Sequence, residues 1–195
     1  MKKLMVAAAC MLAASAYAQS GYTGTLSGGP SGAGFGFGPN AAATGSSSFS
    51  IDGSSEMLSY TVSWNGLVSN ATSAGIQCCS TINDAKGPLA VNFGDFTGGS
   101  MSGSFSGTVG LSNAASYDTG FLAANGGTAA GAYAALVSGL NAPHGYTAIY
   151  SNFTGGQTAV RGLMNVSAVP EPATYGLMGL GLGLLAWRRR QQKAA

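Results

Sequence analysis

Between Leu58 and Trp64 the chain alternates without a break. Leu58, Tyr60, Val62 and Trp64 are apolar, while Ser59, Thr61 and Ser63 are small and polar. A period of two puts the first set on one face of a strand and the second on the other, whereas a helix would scatter both. The same parity governs Met101, Gly103, Phe105, Gly107, Val109 and Leu111 against Ser102, Ser104, Ser106 and Thr108. Further strands are expected at 21–27, 46–51, 89–93, 146–151 and 159–166, with Asp52-Gly53 as a hairpin loop and the Gly-, Pro- and Ala-rich stretch 28–45 as a longer connection. One segment follows a different rule. In Thr128–Leu140, Tyr133, Leu136, Val137 and Leu140 recur at helical spacing, Thr128 can cap the start and Gly139 lies near the end; a second helical turn is expected at 118–124. Many short strands with one or two short helices predict a mainly β fold, an antiparallel β-sandwich of Ig-like kind.

Charge is scarce and unevenly placed. Charged residues make up 7% of 195, against about 25% in ordinary soluble domains. This excludes a coiled coil, a charged disordered tail and a basic nucleic-acid-binding surface, so no nucleic-acid partner is expected. The formal net charge of +2 comes from the ends, where Lys2 and Lys3 stand on one side and Arg188, Arg189, Arg190 and Lys193 on the other. Between residues 19 and 169, Lys86 and Arg161 face Asp52, Glu56, Asp84, Asp95 and Asp118, a net charge of −3.

Both ends read as addresses. Lys2 and Lys3 precede an apolar stretch, Leu4 to Ala14, and Ala16-Tyr17-Ala18 forms a small-x-small cleavage site, giving a mature start at Gln19 after signal peptidase. Cys10 lies inside the apolar stretch, which excludes a lipoprotein site. At the other end Ala173–Trp187 has no charge, and Arg188-Arg189-Arg190 follows. As a helix this run would span roughly 22 Å, short of a hydrocarbon core of about 30 Å. Gly176, Gly179, Gly181 and Gly183 weaken it further as a permanent anchor. The arginines favour a cytoplasmic end and set the orientation. Just upstream, the prolines of Val169-Pro170-Glu171-Pro172 keep the chain extended and open to a processing enzyme.

Motif, short apolar run and Arg cluster in this order closely resemble the PEP-CTERM sorting signal of Gram-negative bacteria. The resemblance implies a transient inner-membrane intermediate, processing by an exosortase-like enzyme, delivery to the outer surface or extracellular matrix, and exopolysaccharide as a candidate partner. The chain then divides into a signal peptide (1–18), a body (19–169) and a sorting tail (170–195).

The body resembles the CHRD domain in the order of its segments. Tyr22-Thr23-Gly24-Thr25-Leu26-Ser27-Gly28 is similar to the opening strand, Leu58–Leu67 to the central strand and turn, and Gly87-Pro88-Leu89-Ala90-Val91 and Ser102–Val109 follow. Gly155-Gly156 and Arg161-Gly162-Leu163 are similar to the closing strand. The family's His-x-His is replaced by Gly75-Ile76-Gln77, a further His by Tyr150, and the Glu of its closing motif is missing. Any chemistry that relatives place on those histidines is therefore not expected here.

The remaining candidates for chemistry are few. His144, the only histidine, sits in the turn-like Ala142-Pro143-His144-Gly145 and cannot make a three-ligand zinc site unaided. Cys78 and Cys79 are the only cysteines left after signal cleavage. They can form a vicinal disulfide, pair with another chain or stay reduced, and an oxidising compartment favours a disulfide that stiffens a loop. No G-x-S-x-G elbow occurs, and the acids are spread along the chain. Gly32–Gly38, with Phe35 and Phe37, lacks the Lys and the strand-to-helix setting of a phosphate loop. No catalytic, cofactor or metal site is expected. The reading is a non-enzymatic, surface-sorted protein with a structural or adhesive role in a polysaccharide or biofilm matrix. The alternatives are a binding module for a polysaccharide, metal or protein, and an exported hydrolase using loop carboxylates.

Overall fold

The computed structural model describes residues 19–28, 42–79, 87–152 and 158–167, together with Gly179. The expected signal peptide, the sorting motif at 169–172, the arginines at 188–190, the Gly32–Gly38 stretch, Asp84 and Lys86 lie outside the described residues.

Alternating segments become strands wherever one face can be buried. The strands are β1 (Gln19–Ser27), β2 (Thr44–Asp52), β3 (Met57–Asn65), β4 (Ala71–Gln77), β5 (Leu89–Asn92), β6 (Gly103–Gly110), β7 (Tyr146–Ser151), β8 (Thr158–Leu163) and β9 (Asn165–Ser167). They form one antiparallel nine-stranded sheet in the order β5-β4-β7-β8-β1-β2-β3-β6, with β9 paired to β1. Two short helices, α1 (Thr119–Ala124) and α2 (Ala129–Asn141), lie between β6 and β7. The fold is thus mainly β and antiparallel.

The sheet curls so that its halves face each other. The link is the pairing of Ser27 with Arg161, which joins β1 to β8. Across the interior, Thr147 of β7 donates a hydrogen bond to Ser47 of β2 at 2.8 Å. Phe93, just past β5, stacks on Tyr60 of β3 with centroids 3.9 Å apart. The core holds the apolar parity of β1 to β3 (Tyr22, Leu26, Phe49, Ile51, Leu58, Tyr60, Val62 and Trp64), closed by Ile76, Ile149, Val160, Leu136 and Leu140 from the opposite side.

Several boundaries differ from expectation. β4 has no counterpart in the expected strands, and β2 starts at Thr44, inside the stretch read as a connection. The strand expected at 159–166 is broken at Met164, which is fully buried; its N–H bonds the Gly145 carbonyl at 2.9 Å. The helix expected at 128–140 forms at Ala129–Asn141, with the Thr128 hydroxyl accepting from the Gly131 N–H at 3.1 Å.

Candidate functional site

The alternation that buries one face of β1, β2, β3 and β6 leaves the other to small hydroxyl side chains. The register aligns them across strands. Thr25, Ser46, Ser63 and Ser104 stand abreast, as do Thr23, Ser48, Thr61 and Ser106, and then Ser50, Ser59 and Thr108. All are exposed or half-buried. Neighbours across strands lie roughly 4.8 Å apart and successive rows about 6.7 Å apart, as sheet geometry requires. The result is an uncharged plane of donors and acceptors. Its centre is a shallow groove of about 390 Å³ lined by Ser48, Ser50, Ser59, Thr61, Ser106 and Thr108. Ser46 and Ser63 share a hydrogen bond at 2.8 Å. Such a surface can exchange its water for the hydroxyls of another polyol, because a hydroxyl both donates and accepts.

Gln77, Tyr150 and Arg161 meet on the opposite half of the sheet. Arg161 Nη1 donates to Gln77 Oε1 at 2.8 Å, and Gln77 Nε2 donates to the Tyr150 hydroxyl at 3.1 Å. The guanidinium carbon lies 5.4 Å from the Tyr146 ring centroid, within cation–π range. Arg161 and Gln77 are buried. Burial raises the Tyr150 pKa, opposed by its bond with Gln77 and by the Arg161 charge. An amide, a phenol and a fixed guanidinium charge do not form a donor set for a cation. They lock β4, β7 and β8 together.

Cys78 and Cys79 are joined by a disulfide at the end of β4. Cys78 is fully buried, Cys79 is exposed, and the Cys79 sulphur lies 3.4 Å from the Ala135 carbonyl oxygen. The bridge rests on α2 at Gly139, where a Cβ would collide with both sulphurs. His144 lies half-buried in the turn after α2, and its N–H bonds the Gly139 carbonyl at 2.8 Å.

Two of the described acids, Asp52 and Asp118, are engaged locally. Asp52 accepts from the Ser54 hydroxyl and N–H at 2.6 and 2.8 Å and from the Ser55 hydroxyl at 2.9 Å. These bonds hold its pKa down at about 2. Asp118 caps α1, accepting from the N–H of Gly120 and of Phe121 at 2.9 and 3.4 Å. Among the described residues, no group of three or more His, Cys, Asp and Glu is placed to hold a metal, and no helix is long and apolar enough to cross a membrane.

Sequence reasoning found the polar parity of β3 and β6 but not the plane. The plane needs β2 and the register between strands, which no single segment carries. It also named Gln77, Tyr150 and Arg161 separately, without their contact.

Residues 168–190 match the PEP-CTERM protein-sorting motif. The motif implies export across the membrane to the surface of a Gram-negative cell, with processing by exosortase. No curated protein and no solved structure matches the chain.

Proposed function

We propose that this is a non-enzymatic surface protein whose body contacts the extracellular polysaccharide through the hydroxyl plane of β1, β2, β3 and β6. Signal peptidase removes residues 1–18, and an exosortase-like enzyme acts at Val169-Pro170-Glu171-Pro172 after a transient inner-membrane stage. The body, 19–169, is a CHRD-like sandwich; the curled antiparallel sheet and the order of the matching segments support that reading. The observation that carries the function is the alignment of Thr23, Ser48, Thr61 and Ser106 with their neighbouring rows. A surface without fixed charge contacts a neutral or mixed polysaccharide by hydrogen bonds alone, each weak and many in parallel. The role of Asp52 and Asp118 as turn and cap residues favours a structural over a hydrolytic body.

The test combines location with adhesion. Intact mass of the extracellular species should give a chain starting at Gln19 and lacking the Arg188–Arg190 segment. A Ser48→Ala, Ser59→Ala, Thr61→Val variant should be exported normally but lose most of its retention in the matrix fraction. Full-length protein held in the inner membrane would refute the sorting reading. Unchanged retention of the triple variant would refute the adhesive one.

A further inference from the structure

The two edges of the sheet are treated differently. The β5 edge is short and covered, since Val91 bridges to Tyr117 and the Asp118 N–H bonds the Ala90 carbonyl at 2.9 Å. The β6 edge runs from Gly103 to Gly110 with no charge, no proline and no break in its register with β3. Proteins ordinarily blunt such an edge with charges, prolines, bulges or a covering loop, because a row of unpaired N–H and C=O groups recruits another strand.

The open part of this edge can be located. The Leu111 N–H bonds the Glu56 carbonyl at 2.8 Å, so Glu56 and Leu111 form a hydrogen-bonded pair. In an antiparallel ladder such pairs alternate with non-bonded ones. Counting back along the register, Val109, Phe105 and the glycines between and before them bond β3, while Ser104, Ser106, Thr108 and Gly110 aim their backbone groups outward. Both ends of that row are taken. The Gly110 carbonyl accepts from the Ser116 hydroxyl at 2.7 Å, and the Ser102 carbonyl from the Ser100 hydroxyl at 2.8 Å. Among the described residues, Ser104, Ser106 and Thr108 remain as the open window.

We propose that this window pairs with the same window of a second copy, antiparallel, about a two-fold axis at Ser106. Ser106 then faces Ser106 of the other copy, and Ser104 faces Thr108. The half-buried Phe105 falls opposite Gly107, so no bulky side chains meet. The window is self-complementary and uncharged, which favours a second copy over a charged partner. With the β5 edge covered, this pairing closes as a dimer and does not extend into a fibre. It extends the hydroxyl plane continuously across both chains but does not depend on what that plane binds.

The test uses the full chain in mild non-ionic detergent, with protein mass from sedimentation equilibrium and folding checked by circular dichroism. The expected species is two chains of 19.2 kDa each. Ser104→Lys with Thr108→Lys places like charges opposite each other and should yield monomer. Ser104→Glu with Thr108→Lys places opposite charges face to face in this register and should stay dimeric. A monomeric wild type, or a double-Lys variant that still dimerises, would overturn the proposal. So would a Glu/Lys variant that folds but is monomeric.

Discussion

Two residues show how local chemistry fixes detail in a chain with so little charge. Gly139 is one of them. The disulfide of Cys78 and Cys79 lies against α2 at Gly139, where the helix has no side chain. Gly139→Ala should therefore destabilise the protein by about 1–3 kcal/mol, the usual cost of overpacking a closed site. That is opposite to the gain expected from removing a glycine inside a helix. Urea unfolding that shows an equal or higher midpoint would contradict it. Asp52 is the other. Its carboxylate is held at about 2 against an ordinary 3.8 by the Ser54 and Ser55 bonds. The unfolded chain thus takes up the proton first. The contribution is present above pH 3.8 and disappears as pH falls through about 2. Asp52→Asn should flatten that limb of the stability profile by lowering stability at neutral pH while leaving it nearly unchanged near pH 2. An acid limb identical to that of the wild type would exclude this origin.

The separate elements differ in how far they were legible. α1 spans Thr119–Ala124, too short to hold its shape by propensity, and depends on the Asp118 cap and the burial of Phe121. Asp118→Ala should cost about 1 kcal/mol, read as a lower thermal midpoint, with Asp118→Asn recovering most of it. β3 and β6 could be read directly, because one face of each packs inward, buried in β3 and half-buried in β6, while the other is solvated, so each alternates. β4 could not. Its Ala74, Gly75, Ile76 and Gln77 are all buried, so the period of two vanishes, and its small residues carry no strand signal of their own. The break between β8 and β9 was hidden for a related reason. Met164 continues an apolar run in sequence, but its buried sulphur packs against the Ser47 and Thr147 hydroxyls, 3.2 and 2.9 Å away, from distant strands. The helices were legible because capping and helical spacing are both local.

At the scale of the molecule, what escaped the sequence is pairing. That Ser27 meets Arg161 and joins two half-sheets into one is a long-range choice, and so is the alignment that turns separate serines into a plane. Both follow from how the chain closes its core, and the tyrosines record that closure. Tyr22, Tyr60, Tyr117, Tyr133 and Tyr150, drawn from both half-sheets, α2 and the segment that covers β5, all have pKa values raised above 10.0, in each case first by burial. Nearby carboxylates add to this at Tyr60, where Asp95 acts, and at Tyr117, where Glu56 acts. Each phenol keeps its proton longer in the folded chain than in the unfolded one. The stability they contribute is complete below pH 10 and is lost as the pH rises toward their folded values. Alkaline titration should therefore show little phenolate absorbance from these side chains until the sheet opens. Their ionisation should then coincide with the loss of β-sheet circular dichroism in one cooperative step. Smooth titration near pH 10 with the sheet signal intact would mean that the curled halves do not enclose these rings in solution.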